Sequence, residues 1–277
     1  MSKIEDALRK ARLGGKNLSA SPASKSSIAN NPVVSSTGNT IIKKSSSSLI
    51  KLMKSDATIN DEDLINKGII LPVAGNSKVT DSFRYLRTQL LQKSKNENFI
   101  VLVTSCFDGF DSAFVTMNMA AAFSFDDSKT SLVIDCDINS NKIDEMLGIE
   151  FDSGLMDFLG GDVNVAEILK DIGIRRLRII ASGKKEQPDT ESESFTSVRM
   201  KVLLDGLVER YHDRFVILNS PPLSEQADVS ILSDLVDYIV LVVPYGGVTA
   251  GDLEDALSKI DKSKLLGVVF NDVPSWS

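Results

Sequence analysis

Short apolar runs alternate with amphipathic runs along most of the chain, from about residue 60 onward. Strand-like runs lie at 99–104, 131–135, 177–181, 215–218, 238–244 and 265–270, and helix-like runs lie at 81–91, 113–123, 198–210 and 250–260. The strand-like runs are apolar and rich in β-branched residues throughout, which is typical of parallel strands buried on both faces. The pattern therefore predicts a doubly wound α/β fold, with a mostly parallel sheet flanked by helices.

The residues before this body have a different pattern. Ser2 can cap a short amphipathic helix whose apolar positions are Ile4, Leu8 and Ala11, and we predict this helix over 1–15. Eleven of the thirty residues from 19 to 48 are serine, so we predict a basic, disordered linker over 16–59 and a globular domain over 60–277. The basic, apolar stretch 49–54 is either the end of this linker or a weak contact with an anionic membrane.

Composition narrows the class of protein. No apolar run approaches the ~20 residues that span a bilayer, and we expect a cytoplasmic location. The two cysteines, Cys106 and Cys136, and the single histidine, His212, show no metal-ligand spacing, so we expect no metal site built on them and ordinary buried thiols rather than a redox pair. Residues 1–56 hold ten Lys/Arg against three Asp/Glu, which is +7, and the net charge of −7 leaves −14 on residues 57–277. Because residues 57–277 are acidic, we expect no nucleic-acid partner.

The loop between the first strand and the next helix has the frame of a phosphate-binding P-loop without its side chains. A working P-loop uses glycines, a lysine that reaches the outer phosphates and a Ser/Thr hydroxyl that binds Mg²⁺. Here Gly109 remains, but a glycine position holds Asp111, the lysine position holds Ser112 and the hydroxyl position holds Ala113. Because Asp108 adds a second carboxylate, the loop would repel a triphosphate, and we expect no useful ATP binding.

Two later segments carry polar residues at strand ends and, with the loop after the first strand, form a set of three motifs. The strand-like run at 132–137 ends in Asp135 and Asp137, and the run at 214–222 carries Asn219 at its end. In this order the three segments resemble the nucleotide-binding signatures of the bacterial tyrosine kinases, a branch of the P-loop class that includes the MinD and ParA ATPases. Further similar segments extend the resemblance over about residues 75–271.

The resemblance implies roles for matching positions. In the family, the carboxylates at the positions of Asp135 and Asp137 organise Mg²⁺ and the attacking group, and an Asp at the position of Asn219 contacts Mg²⁺ through water. An amide lacks the negative charge that a hard cation favours, so we expect no metal and no cofactor, although the two retained carboxylates leave a weak cation site as an alternative. The family's adenine-side asparagine is matched by Asn271.

Partners are also implied by resemblance. Asp81, Arg84 and Arg87 match an acidic-x-x-Arg-x-x-Arg helix that mediates ring assembly in the family, which implies an oligomer or partner interface. Residues 1–8 and 211–214 resemble the subgroup encoded with exopolysaccharide and exosortase systems. In such systems family members dock on the cytoplasmic segment of a Wzz-like membrane polysaccharide co-polymerase, which would place this chain peripherally at the inner membrane.

We therefore predict a pseudokinase, a non-catalytic regulatory or scaffold protein of exopolysaccharide or capsule biosynthesis and export. One alternative is an active tyrosine autokinase that uses ATP and Mg²⁺ and controls polymerisation. Its relatives carry a C-terminal tyrosine cluster, whereas here residues 272–277 contain no tyrosine. A second alternative, a MinD/ParA-like positioning ATPase, would need the missing loop lysine.

Overall fold

A six-stranded parallel sheet forms the centre of the domain. The computed structural model describes residues 59–72, 77–95, 97–108, 112–183, 191–209, 213–224 and 226–274. The strands are β1 (Ile100–Ser105), β2 (Thr130–Asp135), β3 (Leu177–Ile180), β4 (Arg214–Asn219), β5 (Tyr238–Pro244) and β6 (Leu265–Asn271). Their order is β3-β2-β4-β1-β5-β6, and every neighbouring pair is parallel.

Helices connect the strands and precede the sheet. They are α1 (Asp61–Asn66), α2 (Lys78–Lys93), α3 (Ser112–Ser124), α4 (Lys142–Leu147), α5 (Leu155–Gly160), α6 (Val165–Ile168), α7 (Glu191–Phe195), α8 (Val198–Glu209), α9 (Gln226–Asp234) and α10 (Ala250–Ser258). None of the helices in the described part of the chain has the length and apolar character needed to cross a membrane.

Hydrophobic side chains fill both faces of the sheet. In β1 every residue is buried, and successive residues alternate between two apolar clusters: Val101 and Val103 belong to one, Ile100 and Leu102 to the other. This alternation is the two-residue period of a strand with both faces covered. The predicted doubly wound fold is thus confirmed.

Helix α3 is the most deeply buried helix in the described domain, because only Phe114 among its residues is not fully buried. It lies against the same face of the sheet as α2, and Phe114 meets Phe83 of α2 edge-on, with ring centroids 6.2 Å apart. A helix that is apolar on nearly all sides is suited to a position between a sheet and a second helix. It begins directly after the loop that follows β1.

Predicted and observed boundaries mostly agree within two residues. The main difference is α2, which begins at Lys78 rather than at 81, because Ser77 caps it by accepting a hydrogen bond from the Thr80 amide at 3.0 Å. Helix α9 was missed by the sequence prediction. The predicted helix at 1–15 and all but the last residue of the predicted linker lie outside the described residues, and that last residue, Ile59, is buried in the core.

Candidate functional site

The candidate site lies at the carboxyl ends of three adjacent strands. Asp135 ends β2 and Asn219 ends β4, and the two residues are paired in register. Asn219 is also paired with Val103 near the end of β1, whose following loop leads to α3. In open α/β sheets this edge is where ligands bind. The topology thus brings together the three segments that the sequence singled out.

Asn219 is the centre of a closed hydrogen-bond network. Its Nδ2 donates to Oδ1 of Asp135 at 2.8 Å. Its Oδ1 accepts from the hydroxyls of Ser112 and Thr116, at 3.2 and 3.3 Å. These four side chains, from β2, β4 and α3, form what we call the Asn219 network. All four are buried, each exposing 2% or less of its surface.

Burial has a strong effect on the carboxyl group of Asp135. Loss of hydration raises its pKa to about 8, because burial disfavours the charged form. The hydrogen bond from Asn219 opposes this rise, and the nearby carboxyl groups of Asp137 and Asp144 add to it. Asp135 is therefore protonated in a substantial fraction of molecules near neutral pH, which a binder of hard cations would not favour.

Asp137 occupies a separate position beside this network. Its backbone amide donates to Asp135 Oδ1 at 3.2 Å, while its own carboxylate accepts from Ser140 Oγ at 2.5 Å. Burial raises its pKa, and the hydrogen bond from Ser140 and the charge of Lys142 oppose that rise. The two retained carboxylates thus have different partners.

The described residues on either side of the loop have partners other than a ligand. Ser112 and Ala113 form the start of α3; the hydroxyl of Ser112 is directed to Asn219, and the methyl group of Ala113 is fully buried in the apolar cluster around α3. Asp108 is exposed and accepts from Ser224 at 2.7 Å. Gly109 and Asp111 lie outside the described residues.

The side chains at this site therefore do not fit a Mg²⁺–nucleotide complex. The hydroxyls and the amide of the Asn219 network already bond one another, and a buried methyl group stands where a magnesium-binding hydroxyl is needed. No group of three or more His, Cys, Asp or Glu side chains in the described ranges is arranged to hold a metal ion.

Asn271 lies elsewhere along the same edge. It ends β6, where it is paired with Pro244, and β5 separates it from β1. Its carbonyl accepts from the Tyr245 amide at 2.9 Å. It also borders a groove of about 1040 Å³ between α2 and β6, which Tyr85 and Phe270 line with exposed rings. The nucleotide-side role of Asn271 stays a prediction.

The predicted interface residues lie on α2 and differ in exposure. Asp81 is exposed and pairs with Arg84 at 3.3 Å, and the Arg84 guanidinium also lies 5.6 Å from the ring centre of Phe125. Arg87 is only partly exposed: its Nη1 donates to the carbonyl of Ala122 in the last turn of α3, at 2.8 Å. Burial lowers the pKa of Arg87. The assembly role of these residues stays a prediction, but Arg87 also connects two helices.

The two cysteines are free thiols, as predicted. Cys106 and Cys136 are both buried. Burial raises the pKa of Cys106 to about 11 and that of Cys136 well above its usual value, which favours the protonated thiol in both residues.

Two polar residues of α3 were not among the predicted site residues. Thr116 joins the Asn219 network because it lies one turn after Ser112, on the same helix face. Asn118 is fully buried, accepts from the Ile70 amide at 2.7 Å and donates to the Gly68 carbonyl at 3.1 Å, which fastens the segment before α2 to α3. A polar residue within an otherwise apolar helix was the available signal.

The fold and the position of the candidate site identify the described domain as a P-loop NTPase-like α/β domain. Solved structures support this class. The kinase domain of the Escherichia coli tyrosine kinase ETK superposes with a TM-score of 0.68 at 24% identity, covering 79% of this chain and 83% of that one. The BceF tyrosine kinase domain superposes with a TM-score of 0.64 at 26% identity, covering 77% of this chain and 88% of that one. The MinC:MinD complex of Aquifex aeolicus gives a TM-score of 0.50 at 21% identity, covering 63% and 69% of the respective chains.

The relatives found by sequence comparison are of one kind. No protein-family model matches the chain. It is 29% identical over 196 residues to the tyrosine-protein kinase Wzc of Salmonella typhi, covering 70% of this chain and 27% of that protein. It is 25% identical over 199 residues to the tyrosine-protein kinase CpsD of Streptococcus agalactiae, covering 71% of this chain and 84% of that protein. The chain thus spans about a quarter of the length of the first of these relatives. Its homologues are bacterial tyrosine kinases, which confirms the predicted resemblance.

Proposed function

We propose that this chain is a pseudokinase: a non-catalytic regulatory or scaffold protein related to bacterial tyrosine kinases. The observation that carries the proposal is the Asn219 network. Where an active kinase needs a lysine, a magnesium-binding hydroxyl and a carboxylate, this chain has Ser112 and Asn219 bonded to each other and the buried methyl group of Ala113. The groups that would bind a nucleotide are absent or already engaged.

The setting of this role is exopolysaccharide or capsule biosynthesis and export, with docking on the cytoplasmic segment of a membrane polysaccharide co-polymerase. This part of the proposal is supported by the kinship with the kinases Wzc and CpsD. It is also supported by the likeness of residues 1–8 and 211–214 to the exopolysaccharide subgroup. The chain would then sit peripherally at the inner membrane through its partner.

Nucleotide titration tests the first part. The full-length protein should give no saturable signal with a fluorescent ATP analogue below about 1 mM in millimolar Mg²⁺, a limit equivalent to about −4 kcal/mol. The matched control is a restored variant, Asp111→Gly, Ser112→Lys, Ala113→Thr and Asn219→Asp together. It should gain Mg²⁺-dependent binding, because phosphate charge and both magnesium contacts return at once. Micromolar binding by the wild type would overturn the pseudokinase proposal.

An active autokinase is the second candidate, since the relatives by sequence are tyrosine kinases. Tyr85 and Tyr245 are the exposed tyrosines of the described part and would be the accessible acceptors. Incubation with ATP and Mg²⁺, followed by mass spectrometry of tyrosine-containing peptides, distinguishes the two functions. Phosphotyrosine formed by the purified protein would favour the autokinase, and its absence together with absent ATP binding favours the pseudokinase.

A further inference from the structure

The amide of Asn219 uses nearly all of its hydrogen-bonding capacity inside the protein. A primary amide has two N–H donors and an oxygen with two lone pairs. The oxygen accepts from two hydroxyls, Ser112 and Thr116, and one N–H donates to Asp135. The nitrogen of the amide faces Asp135, and in its ionised form this carboxylate can only accept, so the arrangement suits it.

An aspartate at position 219 could not make the same contacts. Its oxygen would face the Asp135 oxygen at the distance now spanned by the 2.8 Å hydrogen bond, acceptor against acceptor. Both residues expose only 1% of their surface, so water could not relieve the repulsion. Such a buried pair of carboxylates needs a cation or a shared proton between its oxygens. One atom, nitrogen in place of oxygen, therefore decides whether the Asp135 carboxylate needs a cation or a shared proton to be paired.

The network also joins three separate elements. Asp135 and Asn219 are the last residues of β2 and β4, and Ser112 is the first residue of α3. Thr116 lies one turn further along the same face of α3. The start of α3, which directly follows the loop, is thus bonded to the ends of two strands by the protein's own side chains.

We propose that Asn219 is a built-in substitute for a bound cation, which holds the start of α3 against β2 and β4 in one fixed, ligand-independent conformation. This inference rests on the proposed function. It adds that the domain presents a single conformation to its partner at all times, instead of one that changes with nucleotide. Asn219 is a positioning residue in this arrangement.

The test compares melting temperatures of the full-length protein at pH 8 in EDTA and in 5 mM MgCl₂. The wild type should melt at the same temperature in both. Asn219→Asp should melt lower in EDTA by about 5 °C or more and should recover part of that loss in MgCl₂. Thr116→Val is the matched control, because it removes one hydrogen bond of the network without adding charge; it should lower the melting temperature equally in both buffers.

A swap variant keeps the test decisive where Asn219→Asp alone folds poorly. Asp135→Asn combined with Asn219→Asp restores one amide and one carboxylate with their positions exchanged, and the hydroxyls of α3 can still donate to residue 219. It should regain more than half of the lost melting temperature in EDTA. A swap variant no more stable than Asn219→Asp, or an Asn219→Asp variant as stable as the wild type in EDTA, would overturn the inference.

Hydrogen exchange separates this inference from the proposed function. The amides of residues 115–118 in the wild type should be protected without any nucleotide or metal, and adding Mg²⁺ should not change their rates. If these amides exchange rapidly in EDTA and more slowly in Mg²⁺, the inference that Asn219 substitutes for a cation is refuted. Micromolar ATP binding would instead refute the pseudokinase, and it is measured in a separate titration.

Discussion

Replacement of Asn118 by leucine should destabilise the domain more than any exposed substitution. Leucine has the same number and branching of side-chain heavy atoms as asparagine and a higher helical propensity, but at this fully buried position it removes every side-chain hydrogen bond. The lost bonds are the one accepted from the Ile70 amide at 2.7 Å and those donated to the carbonyls of Gly68 and Phe114, both at 3.1 Å. These bonds connect α3 to a segment 48 to 50 residues earlier in the chain.

The size of the destabilisation depends on the backbone groups that lose their hydrogen-bond partners. The Phe114 carbonyl faces the helical N–H four residues later, so its loss is small. The Ile70 amide is buried next to the apolar cluster and would lose its partner, whereas Gly68 is exposed, so its carbonyl can accept from water instead. One orphaned buried polar group costs about 1–3 kcal/mol, which gives a total of about 2 kcal/mol and a fall in melting temperature of about 4–8 °C.

Urea denaturation followed by circular dichroism measures this loss. The matched control is Thr88→Ala on the exposed face of α2, which removes one hydrogen bond to the Arg84 carbonyl and should change the free energy of unfolding by less than about 0.5 kcal/mol. Hydrogen exchange at Ile70 should rise at least tenfold in Asn118→Leu. A loss below about 1 kcal/mol with unchanged exchange at Ile70 would show that apolar packing alone holds the segment.

Two further predictions concern charge. The folded-state pKa of Asp135, about 8, lies above its ordinary value of 3.8, so the contribution of this group to the free energy of unfolding falls as pH rises from about 4 to 8. Asp135→Asn should therefore lose less stability than the wild type between pH 5.5 and pH 8 in urea titrations; parallel pH profiles would contradict the assigned burial effect. On α2, exchanging Asp81 and Arg84 keeps an opposite-charge pair three residues apart but exchanges the positions of the two charges, so light scattering should show weaker self-association. Loss of the contact between Arg84 and Phe125 should lower the melting temperature only slightly. Unchanged association would remove these two residues from the predicted interface.

The sheet could be predicted from sequence because its signal is local. In β5, seven consecutive residues are apolar or aromatic, and the predicted and observed limits of this strand are the same. Short helices give a weaker signal: α9 has nine residues, and its apolar positions are too few to define a helical period. The fold class therefore followed from the pattern, while the minor helices did not.

The contacts within the site depend on topology, which the pattern does not specify. Sequence motifs marked Asp135 and Asn219, but they are 84 residues apart, and their hydrogen bond requires that β4 lie directly beside β2. Thr116 carried no motif, and no motif assigned to Asn118 its contact with the Ile70 amide. The motif on α2 likewise gave no sign that Arg87 donates to a backbone carbonyl in the following helix.

The same topology explains how the fold could remain intact under the proposed pseudokinase function. The strands and α3 are held by apolar burial on both faces of the sheet, and Ala113 contributes to that burial where a magnesium-binding hydroxyl would not. The polar atoms at the strand ends still had to find partners, since an unpaired buried carboxylate is costly. Asn219 supplies a donor to Asp135 and an acceptor to two hydroxyls, so it satisfies every group that a departed cation would leave unpaired. If the chain is the proposed pseudokinase, this buried amide accounts for the retention of a rigid fold without a ligand at the strand ends.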